Sequence, residues 1–216
     1  MKKRFLPAMI IIATLCLAVT FVTTSYAKTI YVPGDHETIQ AAIDAAADGD
    51  EIMVYPGTYN ENIDFLSKKI DLIGVGERSE TIIAAACPRS VVTARYIYSG
   101  HILIEGFTIR DGQGTAGGGF HLDDVSVTLR NIVVKNNTAT GDSVLGVNAK
   151  GGGIYALNCL LEMDRVFVYE NQAVVPDVSG AETIIGASSY GGGMFLSPGD
   201  CYIEDCYFRD NTATGG

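Results

Sequence analysis

The chain contains one stretch in three copies: GGGFHLDDVSVTLRNIVVKNN at residues 117–137, GGGIYALNCLLEMDRVFVYEN at 151–171 and GGGMFLSPGDCYIEDCYFRDN at 191–211. Each copy begins with three glycines and ends on an asparagine 20 residues after the first of them. Successive copies begin 34 and 40 residues apart, and the whole difference lies between one asparagine and the next glycines. The copies therefore represent one structural unit, with insertions confined to one loop position.

Apolar and polar residues alternate through each copy. Val127, Leu129, Ile132 and Val134 align with apolar residues in both other copies, and the columns between them are mostly polar. A period of two indicates strands with one face turned inward, and its single break, between Leu129 and Ile132, predicts a bend. The glycine triplet and the three residues after it predict a third short strand.

Repeats of this size cannot bury an apolar face alone and are typical of a solenoid. Three short strands per coil, stacked in parallel, predict an all-β, right-handed parallel β-helix, because parallel crossovers are almost always right-handed. The match of Gly106–Gly112 to Asn131–Asn137 sets the shortest coil at 25 residues. The longer loops, Thr138–Lys150 and Gln172–Tyr190, share one side of the stack and are expected either to bind ligand or to pack on the solenoid.

The repeats carry a resemblance to a known family. The glycine triplets, combined with Phe208–Ala213 and the similar segments Val134–Ala139 and Val168–Ala173, resemble the GGA(I/L) and FxxN repeats of polymorphic outer-membrane proteins. Those proteins are β-helical passenger domains of autotransporter adhesins. The resemblance covers the C-terminal part of the chain and implies an adhesin-like, cell-surface role.

Residues 1–27 have the pattern of a secretory signal peptide. Basic residues at positions 2–4 precede an apolar run through Val22, and Ser25 and Ala27 are the small residues of a cleavage site. We predict cleavage near Ala27 and a secreted or outer-surface protein. The alternative is a retained membrane anchor, since the apolar run is long enough to be considered for one.

The formal net charge is −10, and loss of the signal, which carries only basic charges, makes the mature chain more acidic. This sign excludes nucleic acid as a favoured partner, because phosphate contacts require positive charge. Four cysteines follow the signal, and an even number in an exported protein allows disulfides. The alignment places Cys201 and Cys206 in apolar columns, which favours buried thiols. No CxxC or HExxH motif supports a transition-metal site, and no cofactor other than Ca²⁺ is predicted.

The region after the signal predicts a short strand, Thr29–Val32, followed by an amphipathic helix. Apolar residues recur at i, i+3, i+4 and i+7 from Ile39 to Ala46, with Asp35 as the predicted N-cap and Gly49 as the end. A helix before a run of strands suits the open end of a solenoid, so we expect it to cap that end.

The stretches Glu37–Ala46, Val54–Asn62 and Ile70–Gly74 resemble the opening of pectin methylesterases and of the wider pectin-lyase-like superfamily. Their GxYxE element is present as Gly57, Tyr59 and Glu61. The segments that carry the esterases' catalytic glutamine, aspartates and arginine do not appear in this sequence. The resemblance therefore implies the fold, and we assign no catalytic residues.

Asn137, Asn171 and Asn211 occupy one position in successive coils, which stack about 4.8 Å apart. We predict that their amides form a structural hydrogen-bonded ladder. The glycine triplets are predicted to form coil corners, where a missing Cβ permits unusual backbone angles. These corner residues are Gly117, Gly118, Gly119, Gly151, Gly152, Gly153, Gly191, Gly192 and Gly193.

Asp123, Asp124 and Asn158 are the candidate metal ligands. The repeat alignment places Asn158 beside Asp124 in the next coil. Polysaccharide lyases of this fold bind Ca²⁺ through acidic residues, and hard oxygen ligands from adjacent strands suit that ion. We therefore expect a calcium site there if the protein has one.

Residues 28–216 are predicted to form one β-helix domain, truncated at its C-terminal end. The last residues, 211–216, match positions 137–142 of the first copy, which continue into another coil. An uncapped stack exposes its core and a strand edge. We therefore expect further β-helix coils, or self-association, at this end.

The leading functional prediction is an exported or cell-surface, non-catalytic module that binds a polysaccharide, a cell-surface glycan or a protein. The alternative is a carbohydrate-active enzyme, either a polysaccharide lyase or a pectin esterase-like protein, acting on acidic polysaccharide. The lack of an identifiable catalytic set on the repeats favours binding.

Overall fold

The structure, a computed structural model, describes residues 26–143, 145–176 and 188–215. Within these ranges it contains one α-helix, α1 (Ile39–Ala45), and 22 β-strands. The strands are β1 (Thr29–Val32), β2 (Glu51–Val54), β3 (Gly57–Asn60), β4 (Ile63–Asp64), β5 (Asp71–Gly74), β6 (Thr81–Ala84), β7 (Val92–Glu105), β8 (Thr108–Arg110), β9 (Gln113–Gly114), β10 (Phe120–Arg130), β11 (Val133–Lys135), β12 (Thr138–Thr140), β13 (Ala149–Lys150), β14 (Ile154–Leu157), β15 (Cys159–Asp164), β16 (Phe167–Tyr169), β17 (Gln172–Val174), β18 (Ser189–Tyr190), β19 (Met194–Leu196), β20 (Gly199–Glu204), β21 (Tyr207–Arg209) and β22 (Thr212–Thr214). Apart from β7 and β10 the strands have six residues or fewer, as a coil with several corners requires.

Every pairing between these strands is parallel. Sheet A follows the order β1-β2-β5-β7-β10-β14-β19, and β4, β15 and β20 also belong to it. Sheet B is β3-β6-β8-β11-β16-β21, sheet C is β9-β12-β17-β22, and sheet D is the pair β13-β18. The chain passes from sheet A through B and C, and the two longer coils add one strand of sheet D before they return to A. The chain is therefore the parallel β-helix that the repeats predicted.

Strand register reproduces the repeat spacing. Val134 pairs with Ile109, 25 residues earlier, and with Val168, 34 residues later. Val168 in turn pairs with Phe208, 40 residues later. Both the shortest coil and the two longer ones are confirmed.

Inward-facing side chains of successive coils form one continuous apolar core. Val127, Leu129 and Val134 are fully buried, as the alternation predicted. Each fully buried aliphatic side chain contributes roughly 1.5–3 kcal/mol. In the last described coil the equivalent residues Ile203 and Phe208 remain 52% and 41% exposed.

The coils turn at residues with positive φ, and these residues recur in columns. Asn131, Arg165 and Asp205 share one corner, with φ of 51°, 55° and 48°. A single left-handed residue redirects the chain, and polar residues such as Asn and Asp adopt that conformation most readily. The bend predicted between Leu129 and Ile132 is this corner.

Two strand predictions were wrong. The strand after the glycines is continuous with the next strand in β10, where it bends at Asp124, and it is divided only in the later copies. The residues just after the asparagines were predicted to begin the inserted loops, yet they form β12 and β17 of sheet C. Three-residue strands are too short for an alternating pattern to be recognised.

The inserted loops pack partly on the solenoid. Val175 is buried against Ala139, Ala149 and Ala173 in a small second core, whereas Leu145 is 68% exposed. The apolar loop residues Val144, Ile184 and Ile185 lie outside the described residues.

Helix α1 begins one turn later than predicted. Its N-cap is Thr38, whose hydroxyl accepts a hydrogen bond from the backbone N–H of Ala41, whereas Asp35 accepts from the backbone N–H of Tyr31 instead. The helix ends at Ala45, with Ala46 rather than Gly49 as its C-cap residue. It contacts β1, β2 and β4, and its role as an end cap stays a prediction.

The GxYxE element supports this helix. The Glu61 carboxylate accepts hydrogen bonds from the backbone N–H groups of Ile39 and Gln40 at 3.0 and 2.9 Å. Negative charge at a helix N-terminus is favourable. The Tyr59 hydroxyl donates to the carbonyl of Tyr55 at 2.8 Å. In this chain, the hydrogen bonds of Glu61 and Tyr59 hold the helix and the neighbouring backbone in place.

The four described cysteines are free thiols. Cys159 is buried and Cys87 is exposed. Cys201 and Cys206 face the core as predicted but are only half-buried, because they lie in the last described coil.

The predicted signal peptide lies outside the described residues except for Tyr26 and Ala27. No helix in the described part of the chain has the length and apolar character needed to cross a bilayer.

Candidate functional site

Clustered polar and aromatic side chains lie on the outer face of sheet A. Alternation within β7, β10 and β15 buries every second side chain and directs the others outward. Strand β10 bends at Asp124 (φ 51°), and Asn158 (φ 52°) lies beside it in the next coil. This corner brings the two halves of the outer face together around one groove.

The groove, here called the Ser126 groove, has a volume of about 260 Å³. It combines apolar side chains with a carboxylate, an amide and a hydroxyl. Its lining residues are Ile97, Tyr98, Gly100, Asp124, Val125, Ser126, Asn158 and Leu160. Pockets that mix an apolar lining with a few polar groups are typical ligand sites.

One tyrosine, Tyr98, lines the groove and stacks on a second tyrosine. Tyr98 is 77% exposed, and its hydroxyl donates to Asp124 Oδ2 at 3.5 Å. Its ring stacks on Tyr96 with centroids 6.2 Å apart and planes at 28°. Arg95 lies over the Tyr96 ring at 5.3 Å. The exposed Tyr98 ring offers a flat apolar surface directly beside hydrogen-bonding groups.

A hydrogen-bonded chain of four side chains starts in the groove. Ser126 Oγ is 2.7 Å from His101 Nδ1, and His101 Nε2 is 2.7 Å from Thr128 Oγ1. Thr128 Oγ1 then donates to Glu162 Oε2 at 2.9 Å. The register explains the contacts, because Ser126 pairs with His101 and Thr128 with Glu162 on adjacent strands.

A second group, the aromatic row, lies further along the face and consists of His121, Tyr155 and Phe195. His121 meets Tyr155 edge-on at 5.1 Å, and Tyr155 stacks on Phe195 at 5.5 Å and 4°. Lys150 lies over the Phe195 ring at 5.1 Å. Burial, and then the charge of Arg95, lower the pKa of His121, so the neutral ring is favoured.

The calcium candidates lie at the same corner. Asp124 and Asn158 both line the Ser126 groove, and Asp123 precedes Asp124 on β10. Within the described ranges, no cluster of three or more His, Cys, Asp or Glu side chains is arranged to hold a metal ion. The donor set therefore comprises two carboxylates and one amide, and the calcium site stays a prediction.

The asparagines that end the repeats lie inside the coil, away from the groove. Asn137 Nδ2 donates to Asn171 Oδ1 at 3.0 Å, and Asn171 Nδ2 donates to Asn211 Oδ1 at 3.0 Å. The same oxygens accept from the backbone N–H of Asn137 at 3.0 Å and of Asn171 at 3.1 Å. Asn137 and Asn171 have no exposed surface.

The glycine triplets explain how these amides fit. The first glycine of each triplet has positive φ, between 61° and 69°. A Cβ on the second would meet the backbone of sheet C, and one on the third would meet the asparagine amide. At Gly193 that contact would be 2.9 Å from Asn211 Nδ2, so the ladder itself requires glycine there.

Four residues of this site were not predicted from the sequence: His101, Ser126, Thr128 and Glu162. A usable signal was present, because His101 lies 25 residues before Ser126, which is the shortest coil. The repeat spacing alone therefore places them side by side. It does not show that the imidazole also reaches Thr128.

No family model and no curated protein matches this sequence. Among solved structures, it is similar to a pectin methylesterase in complex with hexasaccharide VII, with a TM-score of 0.50 and 14% identity over 87% of this chain and 67% of that one. A mutant pectin methylesterase in complex with hexasaccharide IV gives a TM-score of 0.43 and 13% identity, covering 85% and 67% of the two chains. The pectin methylesterase from carrot gives 0.40 and 15%, covering 86% and 72%.

The first of these similarities shows the fold, which is a right-handed parallel β-helix. At this identity it shows the fold alone. The resemblance of the repeats to polymorphic outer-membrane proteins stays a prediction.

Proposed function

We propose that this protein is an exported β-helix that binds polysaccharide on the outer face of sheet A, with the Ser126 groove at the centre of the contact. The observation that carries the proposal is the position of Tyr98, 77% exposed, beside Asp124, Asn158 and Ser126. A sugar ring has an apolar C–H face and a rim of hydroxyls. An aromatic ring bordered by a carboxylate, an amide and a hydroxyl complements both.

The charge of the site favours a neutral glycan. Asp124 lies in the groove and Asp123 precedes it, while the whole chain has a formal charge of −10. An anionic polysaccharide would meet repulsion from these carboxylates unless a cation bridged them. The pectin methylesterase whose fold is similar is in complex with a hexasaccharide, which supports a glycan ligand.

The test is a binding assay with the chain from Lys28 onward and a panel of neutral and acidic polysaccharides, measured by calorimetry. Tyr98→Ala should weaken binding about tenfold, which corresponds to about 1.4 kcal/mol. The matched control is Tyr31→Ala, because Tyr31 is also an exposed sheet A tyrosine, at 41%, but lies on β1 far along the stack. Equal binding by both variants, or no binding to any glycan, would contradict the proposal.

Export is part of the proposal and is supported by the signal-like pattern of residues 1–27. The intact mass of protein recovered from culture medium should correspond to a chain that begins at Lys28. Recovery of the full precursor from the membrane fraction would instead favour a retained anchor.

A further inference from the structure

We infer that the Ser126 groove is a hydrolytic site for small O-acyl esters, with Ser126 as the nucleophile and His101 as its general base. The inference rests on the proposed function for its natural substrate, an acylated neutral polysaccharide. The four-residue hydrogen-bonded chain supports the inference independently of any glycan.

The hydrogen bonds fix the imidazole tautomer. The Thr128 hydroxyl has a single hydrogen, which it donates to Glu162 Oε2 at 2.9 Å. The Thr128 oxygen must then accept from His101, which places the imidazole proton on Nε2. Nδ1 is left with a lone pair 2.7 Å from Ser126 Oγ and accepts its hydrogen. This is the order in which a base activates a serine, and Thr128, which donates to the Glu162 carboxylate, orients the base.

Ser126 also has space for a substrate, because its side chain is partly exposed and lines the groove. Ile97, Val125 and Leu160 line the same groove and provide an apolar surface for a short acyl chain. The side-chain amide of Asn158 is the candidate hydrogen-bond donor to the developing oxyanion. A groove of about 260 Å³ suits an acetyl group and part of the sugar that carries it.

The reaction has two balanced steps. Ser126 Oγ attacks the ester carbonyl carbon while its proton passes to His101 Nδ1; the C–O bond to the sugar breaks, and the sugar oxygen leaves with that proton. Water then attacks the acyl-serine, gives one proton to Nδ1 and forms the carboxylic acid, while the proton returns to Ser126 Oγ. Asp124 beside the groove repels the carboxylate product and so favours its release.

The first experiment measures hydrolysis of 4-nitrophenyl acetate and release of acetate from an O-acetylated xylo-oligosaccharide. Ser126→Ala and His101→Gln should each lower kcat/KM at least about 100-fold. The matched controls are Ser67→Ala, whose hydroxyl bonds the Arg95 carbonyl at 3.0 Å, and His36→Gln. Hydrolysis at the buffer rate by the native chain, or full activity in Ser126→Ala, overturns the inference.

A fluorophosphonate probe provides a second measurement that needs no glycan. Peptide mapping should find the probe on Ser126, and labelling should be lost in His101→Gln. Labelling of another serine at the same rate overturns the assignment. Glycan binding without hydrolysis or labelling overturns this inference and leaves the proposed function intact. Labelling and hydrolysis without glycan binding support this inference and contradict the proposed function.

Thr128 and Glu162 are positioning residues, since they act through His101. Thr128→Val should lower kcat about tenfold or more with little change in KM, and Thr128→Ser should restore it because the hydroxyl returns. Nitrogen-15 NMR should show the Nε2–H tautomer of His101 in the native protein and its loss in Thr128→Val. A native Nδ1–H tautomer would contradict the proposed direction of proton transfer.

Discussion

Removal of the central amide of the asparagine ladder should destabilise the protein more than any comparable polar substitution on its surface. Asn171 is fully buried. Its Nδ2 donates to the carbonyls of Val134 and Tyr169 at 3.0 Å, and its Oδ1 accepts from the Asn137 backbone N–H at 3.0 Å. Asn171→Ala removes all of these contacts without changing the backbone path.

The expected loss is about 4 kcal/mol. An orphaned buried N–H at Asn137 costs roughly 1–3 kcal/mol, and each further hydrogen bond contributes about 1 kcal/mol. Asn211→Ala should cost about half as much, because Asn211 is only half-buried and has no neighbour beyond it among the described residues. The control is Asn136→Gly, which keeps an exposed left-handed position (φ 55°) and should change stability by less than about 0.5 kcal/mol.

Urea unfolding followed by circular dichroism measures these differences. With a slope near 2 kcal/mol per molar urea, the Asn171→Ala midpoint should fall by about 2 M relative to the native chain. A midpoint for Asn171→Ala that equals that of Asn136→Gly would refute the reasoning. The ladder would then be a by-product of coil stacking rather than a source of its stability.

Burial, and then the charge of Arg95, lower the pKa of His121 in the folded state below the ordinary histidine value of 6.5. The free energy of unfolding should therefore decrease as the pH falls below 6.5, because the unfolded chain then binds a proton more readily than the folded one. Urea unfolding at several pH values should show this dependence, and His121→Gln should reduce it. Burial also raises the pKa of the Cys159 thiol, so a thiol reagent should modify the exposed Cys87 first and Cys159 only after unfolding; equal rates would contradict the buried position. Calorimetric titration with Ca²⁺ should show saturable binding that Asp124→Asn weakens, and the absence of heat in the native chain would remove the calcium proposal.

The fold could be predicted from the sequence because the spacing of the repeats determines which residues pair between adjacent coils. The asparagines and glycine triplets align three coils, and alternation assigns Val127 and Leu129 to the core, where both lie. Short elements were less predictable. The three residues of β12 are too few to show an alternating pattern. The N-cap of α1 depends on whether the Asp35 carboxylate or the Thr38 hydroxyl accepts from a backbone N–H of the first helical turn, which the sequence does not determine.

The candidate site was predicted only in part. Asp124 and Asn158 were recognised as neighbours because the repeat alignment places them in one column. The relation of His101 to Ser126 follows from the same spacing, but its second hydrogen bond runs diagonally to Thr128. A diagonal contact depends on the imidazole's rotamer, which the strand period does not determine.

The coil tolerates insertions at one loop position, between sheets C and D, without a change in the register of the strands on either side. Thr140 and Val174 remain paired in sheet C, and Ala149 and Ser189 in sheet D, although the segments between them differ in length. Closing a longer flexible loop costs only about 0.6 kcal/mol for each doubling of its length. A foreign peptide grafted between Thr140 and Ala149 would therefore be displayed at a fixed height on the column, and grafts in successive coils would form an evenly oriented array.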